Sequence, residues 1–174
     1  ALAMNNRGPI SFDAQGNLAA SIRNAYSENG FYIFEGVLNK DELDDIKVDL
    51  DKMRSNFPIH PESSVDINGE PALGVDSKAL TLVWSKPLGD PLGGTDLANG
   101  RHQIKMFEPK AAEDSPVASP FILLGSLQFS EACLRTYAHP ELLKVAESIN
   151  GKDFAPFNEA LFIKEPGIGA AVSW

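Results

Sequence analysis

Apolar and polar positions change period several times along this chain, and each change marks an element. Over residues 17–29, NLAASIRNAYSEN, the residues Leu18, Ile22, Ala25 and Tyr26 fall on one helical face, and Gly30 stands where a helix would stop. The run FYIFEGVL that follows is rich in aromatic and β-branched residues and predicts a strand. Asn39 and Glu42 then have the spacing of a capping box. Beyond them Leu43, Ile46, Leu50, Met53 and Phe57 recur at alternating three and four, which predicts a surface helix over a core. Asp44, Asp45, Asp49 and Asp51 lie off that stripe, and the run DELDD reads as a solvated helix face rather than a looped calcium site.

From 58 to 101 glycine and proline punctuate the chain, with the apolar run ALTLVW predicting a strand in the middle. HQIKMFE predicts another strand. Helices are predicted over 121–137 and 140–149, with Pro140 suited to a first helical position and Gly151 to a helix end. Residues 158–164 alternate, so that Asn158, Ala160, Phe162 and Lys164 share one face and Glu159, Leu161 and Ile163 the other. Pro166-Gly167 turns the chain, and the extended run from Ala170 stops at Trp174. Long loops around short strands predict a β-rich protein whose loops carry specificity. One α+β domain over residues 1–174 accounts for the pattern, and its stop inside an extended run predicts a continuation.

Composition narrows the class. A chain of 174 residues, 43% hydrophobic and 22% charged, is long enough for a globular core. Its formal charge of −9 argues against nucleic acid and anionic membrane surfaces, which need clustered cations. A single cysteine, Cys133, excludes an internal disulfide and a thiolate metal cluster, which points to a reducing, cytoplasmic compartment. No apolar window approaches the ~20 residues of a membrane span. A small-molecule substrate is the expected partner, with no partner protein implied.

Candidate chemistry is sparse. His60 and His139 each stand in H-P-E, the beginning of a facial iron triad, but proline between the two ligands suits a helix start better. The G-x-G after residue 166 fails as a dinucleotide loop, because Val172 stands where Gly or Ala is needed. Cys133 reads as a packed thiol and His102 as a strand histidine. Lys105 and Lys164 could each hold an anionic cosubstrate or extend to solvent at a strand end. Trp84 and Trp174 read as core or pocket walls.

Two blocks carry a resemblance. NGFYIFEGVLNKDELDDIKVDLDKM and HPELLKVAESINGKDFAPFNEALFIKEPGIGAAVSW resemble, in order, two segments of the phytanoyl-CoA dioxygenase family of iron(II)- and 2-oxoglutarate-dependent oxygenases. The first looks like the family's opening strand, GVL step and acidic helix. The second is similar to its HP-x-LL helix, Gly-Lys-Asp turn and strand with K-x-PG. The resemblance implies an α+β fold with a mainly β core: an incomplete double-stranded β-helix of jelly-roll or cupin type, with N-terminal helices packed on it. It implies a cosubstrate pocket walled by Ala160 and Phe162, with Asn158 and Lys164 on the same face and Lys105 contacting 2-oxoglutarate from an earlier strand. Trp174 corresponds to the aromatic after which the family's H-x-D iron ligands are due, so none of the metal ligands is assigned in this chain. Iron(II) and 2-oxoglutarate are therefore expected cofactors of the intact protein, which would hydroxylate an aliphatic C–H of a small molecule or acyl-type substrate. The chain alone is expected to bind neither cofactor tightly and to be inactive. The alternatives are a related non-haem iron halogenase, a non-catalytic binding or scaffold domain complete at Trp174, and a hydrolase or transferase using His102 or His139 as a base.

Overall fold

The capping box forms as its spacing predicts: the Asn39 N–H donates to Glu42 Oε2 at 2.8 Å and the Glu42 N–H to Asn39 Oδ1 at 3.0 Å. These two bonds satisfy donors that the first helical turn leaves without partners. In this computed structural model, which describes residues 6–89 and 111–169, the box opens a helix over Lys40–Ser55, α2. The helix before it, α1, spans Ala20–Asn29 and ends at Gly30, which takes φ 78° and donates its N–H to Tyr26 O at 2.8 Å. Only glycine enters that left-handed conformation without steric cost, which is why the sequence stop is legible.

The described residues fall into two compact units. The first holds residues 6–49 and 130–157, the second 50–89, 111–129 and 158–169. In the first, β1 (Arg7–Gly8) pairs in parallel with β2 (Ile33–Phe34), and two further helices follow at Glu131–Tyr137 (α3) and Pro140–Asn150 (α4). Of the run FYIFEGVL, only Ile33 and Phe34 are paired as a strand. Leu18, Ile22 and Val145 are buried together, with Ile10, Phe12, Tyr32 and Phe34 against them.

Acidic residues of α2 hold α3 in place. Asp49 Oδ2 accepts from the Ser130 hydroxyl at 2.7 Å and from the Ala132 N–H at 3.2 Å, while Arg135 pairs with Asp45 at 2.9 Å. Ser130 in turn caps the helix by accepting from the Cys133 N–H at 2.9 Å. Part of the supposedly solvated acidic face therefore serves tertiary structure. The apolar stripe is correspondingly less buried than predicted: Met53 is 3% exposed, but Leu43 is 52% and Leu50 36%.

In the second unit three strands form an antiparallel sheet in the order β3 (Leu82–Ser85), β4 (Ser119–Leu124), β5 (Ala160–Phe162). β4 overturns the helix predicted over 121–137. Its apolar run is a central strand, Gly125 at φ 73° ends it, and a 3₁₀ turn at Ser126–Gln128 intervenes before α3 begins. Four consecutive apolar residues carry no period, so a strand partly buried on both faces looks like a helix segment. Proline lacks the N–H a central strand needs, and Pro120 lies where the register passes from Val83↔Ile122 to Trp84↔Pro120 without a counterpart for Phe121. The architecture is mixed α+β, and no barrel or β-helix is recognisable among the described residues.

One loop geometry occurs twice and has a readable sequence, D-x-[QN]-G-x, at 13–17 and 66–70. In the first, Asp13 Oδ1 accepts from the N–H groups of Gln15 and Asn17; in the second, Asp66 Oδ1 accepts from those of Asn68 and Glu70. Gly16 and Gly69 both take φ 81°, and antiparallel bridges, Phe12↔Leu18 and Val65↔Pro71, close the two loops. These are side-chain-organised turns in which the aspartate stands in for backbone acceptors.

The Asp13 carboxyl is held below the usual aspartate range, chiefly by the backbone N–H of Asn17, with Arg23 a minor contributor. A pKa depressed in the folded state stabilises the fold above the unfolded-state value, near pH 4, and that stabilisation is lost as pH falls through the lower folded value. Asp13→Asn is therefore expected to be less stable than the parent at pH 6, with the two converging as the pH falls below about 4. Urea midpoints across that range check it, and a gap that stays constant or widens in acid contradicts it.

Candidate functional site

The C-terminal end of α2, the segment after it, the paired strands β3 and β4 and the Pro166-Gly167 turn enclose a cleft of about 640 Å³ in the second unit. Its walls are largely apolar, with Phe57, Ile59, Trp84, Pro120 and Ile168 among them. Trp84 and Pro120 are opposite each other across the two strands, which places both on the same side of the sheet. The turn is drawn in by two backbone bonds: the Gly169 N–H donates to Glu165 O at 2.7 Å, and the Leu88 N–H to Ile168 O at 2.9 Å. A Cβ at position 169 would meet the Glu165 backbone at 2.8 Å, so this turn requires glycine there.

The charged groups at the cleft are few. Arg54 Nη2 donates to Glu165 Oε2 at 2.7 Å, with the glutamate side chain 16% exposed and the arginine 63%. Asp51 also lines the cleft. Ser119, another lining residue, is 1% exposed, and its Oγ has no hydrogen-bond partner among the described residues. Native structures seldom leave a buried hydroxyl in that state. An apolar cleft of this size with a few polar groups is the usual form of a small-molecule site.

The residues singled out from the sequence are distributed differently. Ala160 and Phe162 lie on β5, opposite Leu124 and Ile122, with Asn158 before the strand and Lys164 after it. Phe162 is 56% exposed, its ring nearly perpendicular to that of Phe121 at 5.6 Å between centroids. Asn158 is exposed, its Oδ1 accepting from the Glu159 N–H at 2.9 Å. None of Asn158, Ala160, Phe162 or Lys164 lines the cleft; Glu165 and Ile168, just beyond them, do. Lys105, His102, Trp174 and the strand HQIKMFE lie outside the described residues.

The two H-P-E sequences differ in setting. His60 Nδ1 is 3.3 Å from Glu62 Oε2 at an exposed position. His139 precedes α4, with Pro140 at the first helical turn as predicted, and its Nδ1 is buried without a hydrogen-bond partner among the described residues. No group of three or more His, Cys, Asp or Glu among the described residues is placed to hold a metal ion, and no described helix is long and apolar enough to cross a membrane.

Sequence reasoning missed Glu159 as well as Arg54 and Glu165. Glu159 Oε2 accepts from the buried Ser126 hydroxyl at 2.7 Å. Arg54 and Glu165 are far apart in the chain, so no local pattern signals their pairing. Comparison with models of protein families, with curated proteins and with solved structures finds no match.

Proposed function

We propose that this chain is the N-terminal portion of an iron(II)- and 2-oxoglutarate-dependent oxygenase resembling the phytanoyl-CoA dioxygenases, hydroxylating an aliphatic C–H of a small molecule or acyl-type substrate. The order of elements in the second resembling block carries this reading. A helix begins at Pro140 and ends at Gly151, strand β5 follows, and the chain turns at Pro166-Gly167. The antiparallel β3-β4-β5 sheet supplies β structure on which this reading would build its β core.

Iron does not fit the described residues, which hold no metal-binding group. In this reading its ligands come from a part of the protein outside this sequence. The chain's own contribution is binding: Lys105 and Lys164 offer cations to the 2-oxoglutarate carboxylates, Asn158, Ala160 and Phe162 wall that side with Trp174, and the cleft takes the apolar body of the substrate. A non-catalytic small-molecule-binding domain is the second reading, favoured by the same largely apolar cleft.

The test is to express the complete open reading frame containing this sequence and to measure succinate formed from 2-oxoglutarate. Iron-dependent succinate, abolished by a chelator and absent from the 174-residue chain alone, is the expected result. A chlorinated product in the presence of chloride would move the reading to a halogenase. Failure of the complete protein to bind iron or form succinate rejects the oxygenase and leaves the binding domain.

A further inference from the structure

The first unit has a cavity of its own, of about 300 Å³. Helix α1 supplies one side of it through Ile22, Arg23, Tyr26 and Ser27, positions one turn apart on adjoining rows of the helix. Tyr32 and Phe34, two residues apart at β2, supply a second side, with their rings 5.1 Å between centroids. Ser148 and Ile149, in the last turn of α4, supply the third. Ser148 is fixed there: its hydroxyl donates to Lys144 O at 2.8 Å and accepts from the Leu18 N–H at 3.3 Å.

The charge balance of this lining is opposite to that of the chain. The protein carries a formal −9, yet among the described residues Arg23 is the one charged side chain at the cavity, and no described carboxylate lines it. Arg23 forms no ion pair among the described residues. The acid whose titration it influences, Asp13, gives its Oδ1 to the backbone of Gln15 and Asn17 instead. A guanidinium presents several donors in one plane, matched to a carboxylate. The hydroxyls of Tyr26 and Ser27 stand on the same helix, and Leu18, Ile22, Phe34 and Ile149 make the remainder apolar.

We propose that this cavity binds a small monocarboxylate with an apolar body, of the size of an aromatic or short branched acid. The carboxylate meets Arg23, and the hydrocarbon lies against Ile22, Phe34 and Ile149. The volume is at the lower end for ligand sites, which excludes nucleotides and long acyl chains. A cation would face Arg23, and a dicarboxylate would bring a second charge to a lining with no second cation among the described residues. The site is therefore distinct in chemistry from one for 2-oxoglutarate and does not rest on the oxygenase reading.

Benzoate, benzamide and 2-oxoglutarate titrated into the ¹⁵N-labelled chain test the proposal, since the first two share one body and differ in charge. Benzoate is expected to shift the amides of Arg23, Tyr26, Tyr32 and Ser148 saturably, with benzamide and 2-oxoglutarate each at least about fivefold weaker. Arg23 is exposed, so Arg23→Gln leaves the fold intact; it should weaken benzoate about tenfold and leave benzamide unchanged, and Arg23→Lys should recover part of the loss. Equal binding of benzoate and benzamide overturns the proposal, as do 2-oxoglutarate binding as tightly as benzoate, unchanged benzoate binding in Arg23→Gln, or no saturable shift at these residues.

Discussion

Phe121→Ala is expected to destabilise the second unit by about 3–5 kcal/mol, the range for truncating a fully buried aromatic side chain. Phe121 is 0% exposed and lies in the central strand β4, beside Leu123 at 1% and opposite a sheet irregularity that leaves it without a partner residue on β3. Its ring also packs nearly perpendicular to that of Phe162, with the centroids 5.6 Å apart. Truncation removes both the transferred area and the contacts of every neighbour, and a β-sheet backbone, fixed by ladder bonds on two sides, collapses poorly into the void. Phe157→Ala is the control of equal chemistry: that ring is 98% exposed, and its loss should stay within about 0.5 kcal/mol. Urea unfolding followed by tryptophan fluorescence in a Trp174→Phe background reads the effect through Trp84 on β3. Equal midpoints for the two phenylalanine variants would show that β4 is not the core strand described.

What the sequence disclosed about this chain was local. Asn39 and Glu42, Gly30, Pro140 and Gly151 were legible because caps and stops are made by side chains or φ angles within a few residues of the backbone groups they serve. Phe121–Leu124 was not legible, because a short apolar run has no period and only its pairing with Leu82 and Val83 on one side and Ala160–Phe162 on the other, each about forty residues away in sequence, makes it a strand. Asp49 was misassigned for the same reason: its position off the apolar stripe was correct, but its partners Ser130 and Ala132 come from a remote segment. The site divides in the same way. The alternation through 158–164 located a strand, whereas the cleft depends on Arg54, Trp84, Pro120 and Glu165 meeting through tertiary structure.

The repeated D-x-[QN]-G-x loop allows one mutation to be compared in two environments. Asp66 is 3% exposed, and its Oδ1 accepts from Asn68 at 2.8 Å and Glu70 at 3.0 Å. Asp66→Ala removes the acceptor for both N–H groups and is expected to cost about 1–3 kcal/mol, with a further loss from the void left by a buried side chain. Asp66→Asn keeps an oxygen at that position and should retain most of the stability, which separates the loss of the acceptor from the loss of charge. Asp13→Ala breaks the same bonds where water reaches the loop, so its effect should be clearly the smaller of the two. The amides of Asn68 and Glu70 should exchange faster in Asp66→Ala than in Asp66→Asn, ahead of any change in the β3-β4 amides. If Asp66→Ala and Asp13→Ala lower the urea midpoint equally, burial is not what makes this turn matter, and the loop is held by Gly69 and its bridge at Val65↔Pro71 rather than by the carboxylate.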